Sequence, residues 1–174
     1  ATRKVVRQLP RHGIVEQLVW SPDGQAFVGT ANGLGPYWSI GALDARTGEI
    51  RLVSESNRYN CTADWCPDAV QIVYARGIVP ETDGRAELWS VKKDGTSQRM
   101  LYADAGFHVY GACPSPDGKY VLFTRSVADL GQVANSGTTL SVIRWSDTPM
   151  VDDPGAELRQ TYPQADSGPR LDLG

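Results

Sequence analysis

Short apolar stretches alternate with turn residues along most of this chain, and three of the stretches follow the same turn. Each copy of the turn contains Pro-Asp followed by Gly or Ala, and the copies centre on Pro22, Pro67 and Pro116, which are 45 and 49 positions apart. In the run after each proline, both alternating sets of positions hold apolar residues. This pattern is typical of a β-strand that is covered on both faces. The chain is therefore predicted to be all-β, with a repeated strand unit.

The residues of the repeated turn indicate its conformation. Proline sets φ to about −65°, and the Asp side chain caps the turn. Gly24 and Gly118 supply the positive φ that a hairpin turn or bulge needs, whereas Ala69 holds that position in the second copy. We therefore expect strain at Ala69. The acids of the motif are interpreted as turn caps and not as ligands: Asp23, Asp68 and Asp117.

Two further strands complete each repeat. A third strand recurs at 40–43, 88–91 and 140–143, and an outer strand follows at 50–53 and 98–102. Four short strands in about 40 to 50 residues are typical of a β-propeller blade. The sequence therefore predicts a single partial β-propeller domain with three four-stranded antiparallel blades. The predicted blades are 14–56, 57–104 and 105–174.

The two ends of the sequence fit the same scheme. Residues 4–9 resemble the outer strands, so we interpret residues 1–10 as the orphan outer strand of a preceding blade. Residues 169–173 are predicted to be the outer strand of the third blade, after a polar surface loop at 151–167. Three blades and one strand do not close a ring, because closed propellers have at least about four blades. Two apolar blade faces would then be bare.

Three arrangements would cover these faces. The one we prefer is a longer propeller, in which further blades precede this segment. Alternatively, a second copy of the chain completes a six-bladed ring as a homodimer, or another protein subunit covers the faces.

Composition and charge narrow the classes of function. Hydrophobic residues make up 41% of the 174 positions, which is enough for a core, and no run of eighteen apolar residues occurs. The first residues also lack the apolar stretch of a signal peptide. Seventeen basic and 20 acidic residues are interspersed, for a net charge of −3, without a basic patch. We expect no membrane span and no nucleic-acid partner.

The repeat resembles a known family. The motif Trp-Ser-Pro-Asp-Gly at 20–24, the apolar strand after it and Leu-Trp-Ser-Val-Lys-Lys-Asp-Gly at 88–95 are similar to TolB-like β-propellers, whose repeat is called PD40 or WD40-like. The resemblance covers nearly the whole chain, although a long polar connection at 127–139 departs from the family pattern. It implies a propeller, usually of six or seven blades, that holds protein partners outside the cytoplasm, as in the periplasm. It transfers no catalytic residue, because the motif residues are turn and core residues.

The chain offers few groups for catalysis or metal binding. Its histidines are His12 and His108, and the Gly-x-Ser-x-Gly elbow of many serine hydrolases does not occur. Asp152, Asp153 and Glu157 carry oxygen ligands suited to Ca²⁺, but they lack the alternating spacing of a calcium loop. We interpret them as solvated loop acids. No cofactor and no metal are therefore predicted.

The cysteines do not follow a metal or haem motif. Cys61 and Cys66 would lie roughly 16 Å apart in an extended strand, so a bridge between them would need a bend. We interpret Cys61, Cys66 and Cys113 as buried free thiols, with a link from Cys113 to one of the other two as the alternative.

The tryptophans bear on packing and on partner binding. Trp20 and Trp65 hold the same position of the repeat, which predicts core packing between blades. Trp145 follows Arg144 and precedes the long loop, and aromatic residues beside loops are often interface hot spots, although core packing is the alternative. His108 lies at the entry to an inner strand, where histidines either face a ligand or cap the strand end. The candidate partner-binding residues are therefore Trp145, His108 and Arg144, with the polar segments 127–139 and 151–167.

The sequence favours a non-catalytic, protein-binding scaffold. One alternative is a propeller that gates a serine hydrolase encoded elsewhere in the parent chain, since the same motif marks propellers of prolyl-oligopeptidase-type enzymes. Another is a structural subunit of a large multi-protein complex.

Overall fold

The computed structural model describes residues 13–55, 58–77, 85–127 and 138–145. Within these ranges the chain forms eleven antiparallel strands in three sheets. Sheet 1 contains β1 (Ile14–Trp20), β2 (Ala26–Ala31), β3 (Ser39–Asp44) and β4 (Ile50–Leu52). Sheet 2 contains β5 (Cys61–Trp65), β6 (Gln71–Arg76), β7 (Glu87–Lys92) and β8 (Arg99–Tyr102). Sheet 3 contains β9 (Phe107–Pro114), β10 (Tyr120–Val127) and β11 (Thr138–Arg144).

Each sheet is a meander in which strands that are consecutive in the sequence pair with each other. The all-β architecture and the repeat of antiparallel strands are thus confirmed. The strands predicted at 4–9 and 169–173 lie outside the described residues. So do His12, most of the connection 127–139, the acids at 152–157 and the loop 151–167.

The aspartate of the repeated turn accepts hydrogen bonds in each sheet, and the first and third copies share the same pair of bonds. Ser21 Oγ and the Gln25 N–H donate to Asp23 Oδ1 at 2.6 and 3.0 Å. Asp117 accepts the equivalent pair in the third copy, and Asp68 accepts two backbone N–H groups in the second. Because these bonds satisfy the turn backbone, the interpretation of the three acids as turn caps is confirmed.

The turn of the second copy is strained, as its sequence predicts. Ala69 adopts φ +55°, close to the +69° of Gly24 and the +71° of Gly118. A side chain at positive φ brings Cβ close to the backbone, which costs about 1 kcal/mol relative to glycine.

The three sheets are stacked, and a hydrophobic core lies between each pair of neighbouring sheets. Val28 of sheet 1 and Ile72 of sheet 2 belong to the first core, and Val73 and Val121 belong to the second core, between sheets 2 and 3. Strand β6 is therefore covered on both faces. The expectation of two covered faces is wrong for Leu122 in β10, which is exposed on the outer face of sheet 3, beyond which no described residue packs to bury it.

The two repeated tryptophans differ in burial. Trp65 is 5% exposed in the first core, and its Nε1 donates to the Val19 carbonyl at 3.2 Å. Trp20 is 57% exposed, although its ring lies 3.8 Å from that of Phe27. The prediction of core packing is thus confirmed for Trp65 and wrong for Trp20. Trp65 packs between sheets 1 and 2, whereas Trp20 points away from sheet 2, on the face of sheet 1 where Ala31 and Leu43 are buried and Trp20 is not.

Candidate functional site

The stack of sheets has two ends of different character. One end, the turn end, carries the three Pro-Asp turns and the β3–β4 and β7–β8 hairpins. The other, the loop end, carries the β2–β3, β6–β7 and β10–β11 connections and the links between sheets. Because binding residues concentrate on loops that a rigid scaffold positions, the loop end is the candidate binding face.

Ion pairs join neighbouring sheets at the loop end. Arg76, the last residue of β6, donates through Nε and Nη2 to Glu55 Oε2 at 3.1 and 2.7 Å. Its guanidinium also lies 4.1 Å from the centre of the Trp89 ring. Arg125 holds the same repeat position in β10 and donates to Asp104 Oδ2 at 2.7 Å. Each arginine thus ties its own sheet to the link that precedes it.

Asn60 connects three segments of the loop end. It is fully buried, and its Nδ2 donates to the Glu55 carbonyl at 2.7 Å and to Ser54 Oγ at 3.2 Å. Its backbone N–H donates to the Trp38 carbonyl at 3.2 Å, and its Oδ1 accepts from the Gly77 N–H at 3.3 Å. These bonds hold the β2–β3 loop, the β4–β5 link and the end of β6 in one fixed arrangement.

An aromatic cluster stands on this arrangement. The Tyr59 ring meets the rings of Tyr37 and Trp38 edge-on, with centroid separations of 5.0 and 5.5 Å. Trp38 and Tyr59 remain exposed, so the cluster presents an apolar and hydrogen-bonding surface to solvent. Sequence analysis missed this cluster, because Trp38 and Tyr59 come from non-equivalent parts of the repeat. The available signal was the pair of adjacent aromatic residues at 37 and 38 in a glycine-rich stretch.

His108 lies in β9 at the loop end. Its Nδ1 accepts from the Ala86 N–H at 3.2 Å, and the Val109 N–H donates to the Ala86 carbonyl at 3.1 Å. Burial and the positive charge of Arg85 lower the pKa of His108, so its imidazole is neutral at pH 7. His108 therefore ties sheet 3 to the start of β7 in sheet 2.

Trp145 follows β11 at the turn end. Its N–H donates to the Lys119 carbonyl at 2.9 Å, and its half-buried ring packs against the second core. The guanidinium of Arg99 lies 5.2 Å from the ring centre.

The three residues predicted for partner binding do not form one site. Arg144 is exposed and lies opposite Tyr120 of β10, whereas His108 lies opposite Ser126. Tyr120 and Ser126 are six positions apart in β10, which corresponds to roughly 20 Å along a strand. Arg144 and Trp145 thus lie at the turn end, and His108 lies at the loop end.

The cysteines are free thiols. Cys66 is buried in the second core, and burial raises the pKa of its thiol to about 12. Cys61 is half-buried and Cys113 is exposed, contrary to the expectation of three buried thiols. Cys113 belongs to β9, the edge strand of sheet 3, where it pairs with the exposed Leu122. Partial burial of its sulfur and the neighbouring Asp64 raise the pKa of Cys113, and burial raises the pKa of Asp64.

The described part of the chain contains no group of three or more histidine, cysteine, aspartate or glutamate side chains that could hold a metal ion. Nor do these residues form a helix with the length and hydropathy to cross a bilayer.

Comparison with known proteins identifies the fold. No protein-family profile and no curated protein sequence match the chain. A proposed TolB from Agrobacterium tumefaciens superposes with a TM-score of 0.60 at 22% identity, over 75% of this chain and 45% of that one. TolB from Acinetobacter baumannii gives 0.59 at 15% identity, over 77% and 30%. An oligogalacturonate lyase in complex with manganese gives 0.54 at 16% identity, over 82% and 42%.

This chain spans less than half the length of each of these three proteins. At such identities the likeness concerns the fold, and it agrees with the repeated turn and the three stacked meanders. Sheets 1, 2 and 3 are therefore blades 1, 2 and 3, and the chain has the fold of a segment of a TolB-like β-propeller.

Proposed function

We propose that this chain is a non-catalytic, protein-binding part of a larger β-propeller that acts outside the cytoplasm, and that a protein partner docks at its loop end. The observation that carries the proposal is the exposed aromatic cluster of Tyr37, Trp38 and Tyr59. Tyrosine and tryptophan dominate the binding energy of many protein interfaces, because they bury large areas and lose few rotatable bonds.

The cluster is held in place before any partner arrives. The buried Asn60 fixes the backbone of Trp38, and the Arg76–Glu55 ion pair fixes the link from which Tyr59 comes. Little ordering entropy is then lost on binding, so more of the contact energy contributes to affinity.

The position of the polar connection 127–139 also favours the loop end as the binding face. Strand β10 ends at Val127 and β11 begins at Thr138, so this connection leaves and re-enters blade 3 at the loop end. The proposed binding face thus combines a rigid aromatic cluster, from the β2–β3 loop and the β4–β5 link, with the long polar connection of blade 3. Trp145 and Arg144, at the turn end, stay a separate prediction of a second contact.

A capture experiment with paired variants tests this proposal. The purified chain is immobilised and exposed to an extracytoplasmic fraction of its source cells, and retained proteins are quantified by mass spectrometry. We expect Trp38→Ala with Tyr59→Ala to abolish retention of a partner that the unchanged chain and Lys119→Ala both retain, because Lys119 is an exposed residue at the turn end. Circular dichroism verifies that each variant is folded. Equal retention by all three chains, or no protein enriched by the unchanged chain, would contradict the proposal.

A further inference from the structure

The described part of the chain places glycine directly after an aspartate or an asparagine at four positions. These pairs are Asp23–Gly24, Asn32–Gly33, Asp94–Gly95 and Asp117–Gly118. Each of the glycines has a positive φ, between +69° and +85°. Such pairs react more readily than others, because glycine has no side chain to keep its nitrogen away from the carbonyl of the preceding side chain. The hydrogen bonds of the four pairs show which of them the fold protects.

The fold protects the three pairs that contain aspartate. The N–H groups of Gly24, Gly95 and Gly118 donate to backbone carbonyls three positions earlier, at 2.8 to 2.9 Å. The aspartate before each glycine accepts a hydrogen bond from the backbone N–H two positions after it. Both groups that would have to react are thus engaged elsewhere, so we expect these three pairs to be chemically stable.

Asn32–Gly33 lacks this protection. Both residues are exposed, and neither the Asn32 side-chain amide nor the Gly33 N–H forms a hydrogen bond with any residue that the structure describes. A Cβ built on Gly33 would have no heavy atom within 4 Å, so the space around this residue is open. The Gly33 nitrogen is therefore free to approach the Asn32 side chain.

We propose that Asn32 is a site of spontaneous deamidation in the folded chain. The Gly33 main-chain nitrogen loses its proton and attacks Cγ of Asn32, and the side-chain nitrogen leaves as ammonia. A cyclic succinimide then joins the two residues, and water opens it at either ring carbonyl. The products are aspartate and isoaspartate, in which the main chain runs through the former side chain. The reaction consumes water and needs no oxidant or reductant.

Asn60 provides an internal comparison. It is fully buried, and its side-chain amide both donates and accepts hydrogen bonds. The residue after it is Cys61, whose side chain hinders attack by the main-chain nitrogen. Asn60 can therefore react only after its surroundings open locally, whereas Asn32 is exposed in the folded state.

The modification changes the loop that carries two rings of the aromatic cluster. The Asn32 N–H donates to the Gly13 carbonyl at 2.9 Å, and a Cβ built on Gly13 would lie 2.9 Å from Leu34 Cγ. The start of the β2–β3 loop is thus packed closely on Gly13. Isoaspartate adds a carbon atom to the main chain between these two contacts, so the loop cannot keep both, and Tyr37 and Trp38 are displaced. The effect on a partner rests on the proposed function, whereas the modification itself does not.

Peptide mapping by mass spectrometry tests the reaction in the purified, folded chain during incubation at mildly alkaline pH. We expect conversion at Asn32 to be at least about tenfold faster than at Asn60, because Asn60 must first open locally. Aspartate and isoaspartate should both form, and both should take up heavy oxygen from labelled water. The rate should rise with pH, since the attacking nitrogen must lose its proton. Conversion at Asn32 no faster than at Asn60, or aspartate without isoaspartate, would overturn the proposal.

Gly33→Ala tests the route of the reaction. The added methyl group meets no neighbouring atom, so we expect this variant to fold, which circular dichroism verifies. Its conversion at Asn32 should be several-fold slower, because the new side chain hinders approach of the nitrogen. Gly24→Ala is the matched control, since it adds the same methyl group in open space at a similar φ, and it should leave the rate at Asn32 unchanged. Equal rates in all three chains would contradict attack by the Gly33 nitrogen.

The isoaspartate form, isolated by chromatography, tests the consequence for the loop. Hydroxyl-radical footprinting should show more oxidation of Trp38 in this form than in Asn32→Asp, which adds the charge without the extra carbon atom. Equal oxidation of the two forms would overturn the displacement of the loop. In the capture experiment, the isoaspartate form should retain less partner than Asn32→Asp. If Trp38 is displaced but retention is unchanged, partner binding at the cluster fails while deamidation stands, so the two proposals fail separately.

Discussion

Arg76 forms an ion pair with Glu55 across the junction of blades 1 and 2, and Arg125 repeats the pair with Asp104 across the next junction. The Arg76 side chain is only 9% exposed, whereas Glu55 is 37% exposed. The buried Arg76 guanidinium loses its contacts with water. In their place it forms two charge-assisted hydrogen bonds to Glu55 and a cation–π contact with the Trp89 ring. The blades are therefore fastened by polar contacts at the loop end as well as by their apolar faces.

Removal of this arginine should destabilise the fold measurably. We expect Arg76→Leu to lower the free energy of unfolding by about 2 kcal/mol, because two hydrogen bonds to a charged group and a cation–π contact are lost. Urea unfolding followed by tryptophan fluorescence measures the change. Lys119→Ala is the matched control, since the Lys119–Asp117 pair spans 3.5 Å at the surface, and it should cost less than about 0.5 kcal/mol. Equal costs for the two variants would contradict this account of the junction.

The strained turn of blade 2 should be improvable. We expect Ala69→Gly to raise the free energy of unfolding by about 0.5 kcal/mol, because glycine relieves the positive φ but loses a buried methyl group and loosens the unfolded chain. The reverse change, Gly24→Ala, should lower it by about 1 kcal/mol. An added Cβ at Gly24 would have no heavy atom within 4 Å, so this variant measures backbone strain alone. Thermal or urea unfolding of the pair provides the comparison, and opposite signs are the expected result.

Asp64 should destabilise the folded chain at neutral pH. Burial raises the pKa of this carboxyl above its ordinary value of 3.8, so the folded state binds the proton more tightly than the unfolded state does. Stability then decreases as the pH rises from the unfolded value through the folded pKa. We expect Asp64→Asn, which keeps an oxygen acceptor for the Trp65 N–H, to be more stable than the unchanged chain at pH 7. The difference should shrink as the pH falls to about 4.

Asp44 provides a control of opposite sign. Hydrogen bonds from the Thr47 backbone and hydroxyl lower the pKa of Asp44, so its contribution to stability is present above its unfolded pKa and is lost as the pH falls. Asp44→Asn should therefore be less stable than the unchanged chain at pH 7 and equal to it in strong acid. If both variants shifted stability in the same direction at pH 7, burial would not be the dominant cause at Asp64.

The cysteines should react in order of their exposure. At pH 7.5 we expect N-ethylmaleimide to modify Cys113 first and to leave Cys66 unmodified, because Cys66 is buried and its thiol pKa is about 12. Cys113 should still react more slowly than a free cysteine, since Asp64 and partial burial raise its pKa. Peptide mapping by mass spectrometry follows the sites. In 6 M urea, a concentration about sufficient to unfold small domains, all three should react at similar rates. Early modification of Cys66 in the folded chain would contradict this order.

Turn chemistry made most of the architecture predictable. Pro67 and Asp68 specify a tight turn locally, and a strand buried on both faces shows its apolar pattern without reference to its neighbours. Burial of a particular side chain is different, because it depends on which surface lies opposite. Trp20 and Trp65 occur in the same motif, yet only Trp65 has a neighbouring blade within the described residues.

The hydrogen bonds between blades could not be predicted from the residue types at these positions. Gln17, Thr62 and Gly111 share a bulge and a hydrogen-bonding role, but the donor is always a main-chain amide, which every non-proline residue possesses. Comparison of positions at a fixed distance from the turn proline would have aligned them. The aromatic pair Trp38 and Tyr59 had no such alignment, since a loop and a link bring its members together.

Nine residues after the turn proline, where blades 2 and 3 carry Arg76 and Arg125, blade 1 carries Ala31. Alanine has no charged group, so blade 1 cannot form the ion pair by which Arg76 and Arg125 join blades 2 and 3 to the links before them. A junction on that side of blade 1, beside Trp20 and Phe27, would therefore depend on contacts other than this ion pair.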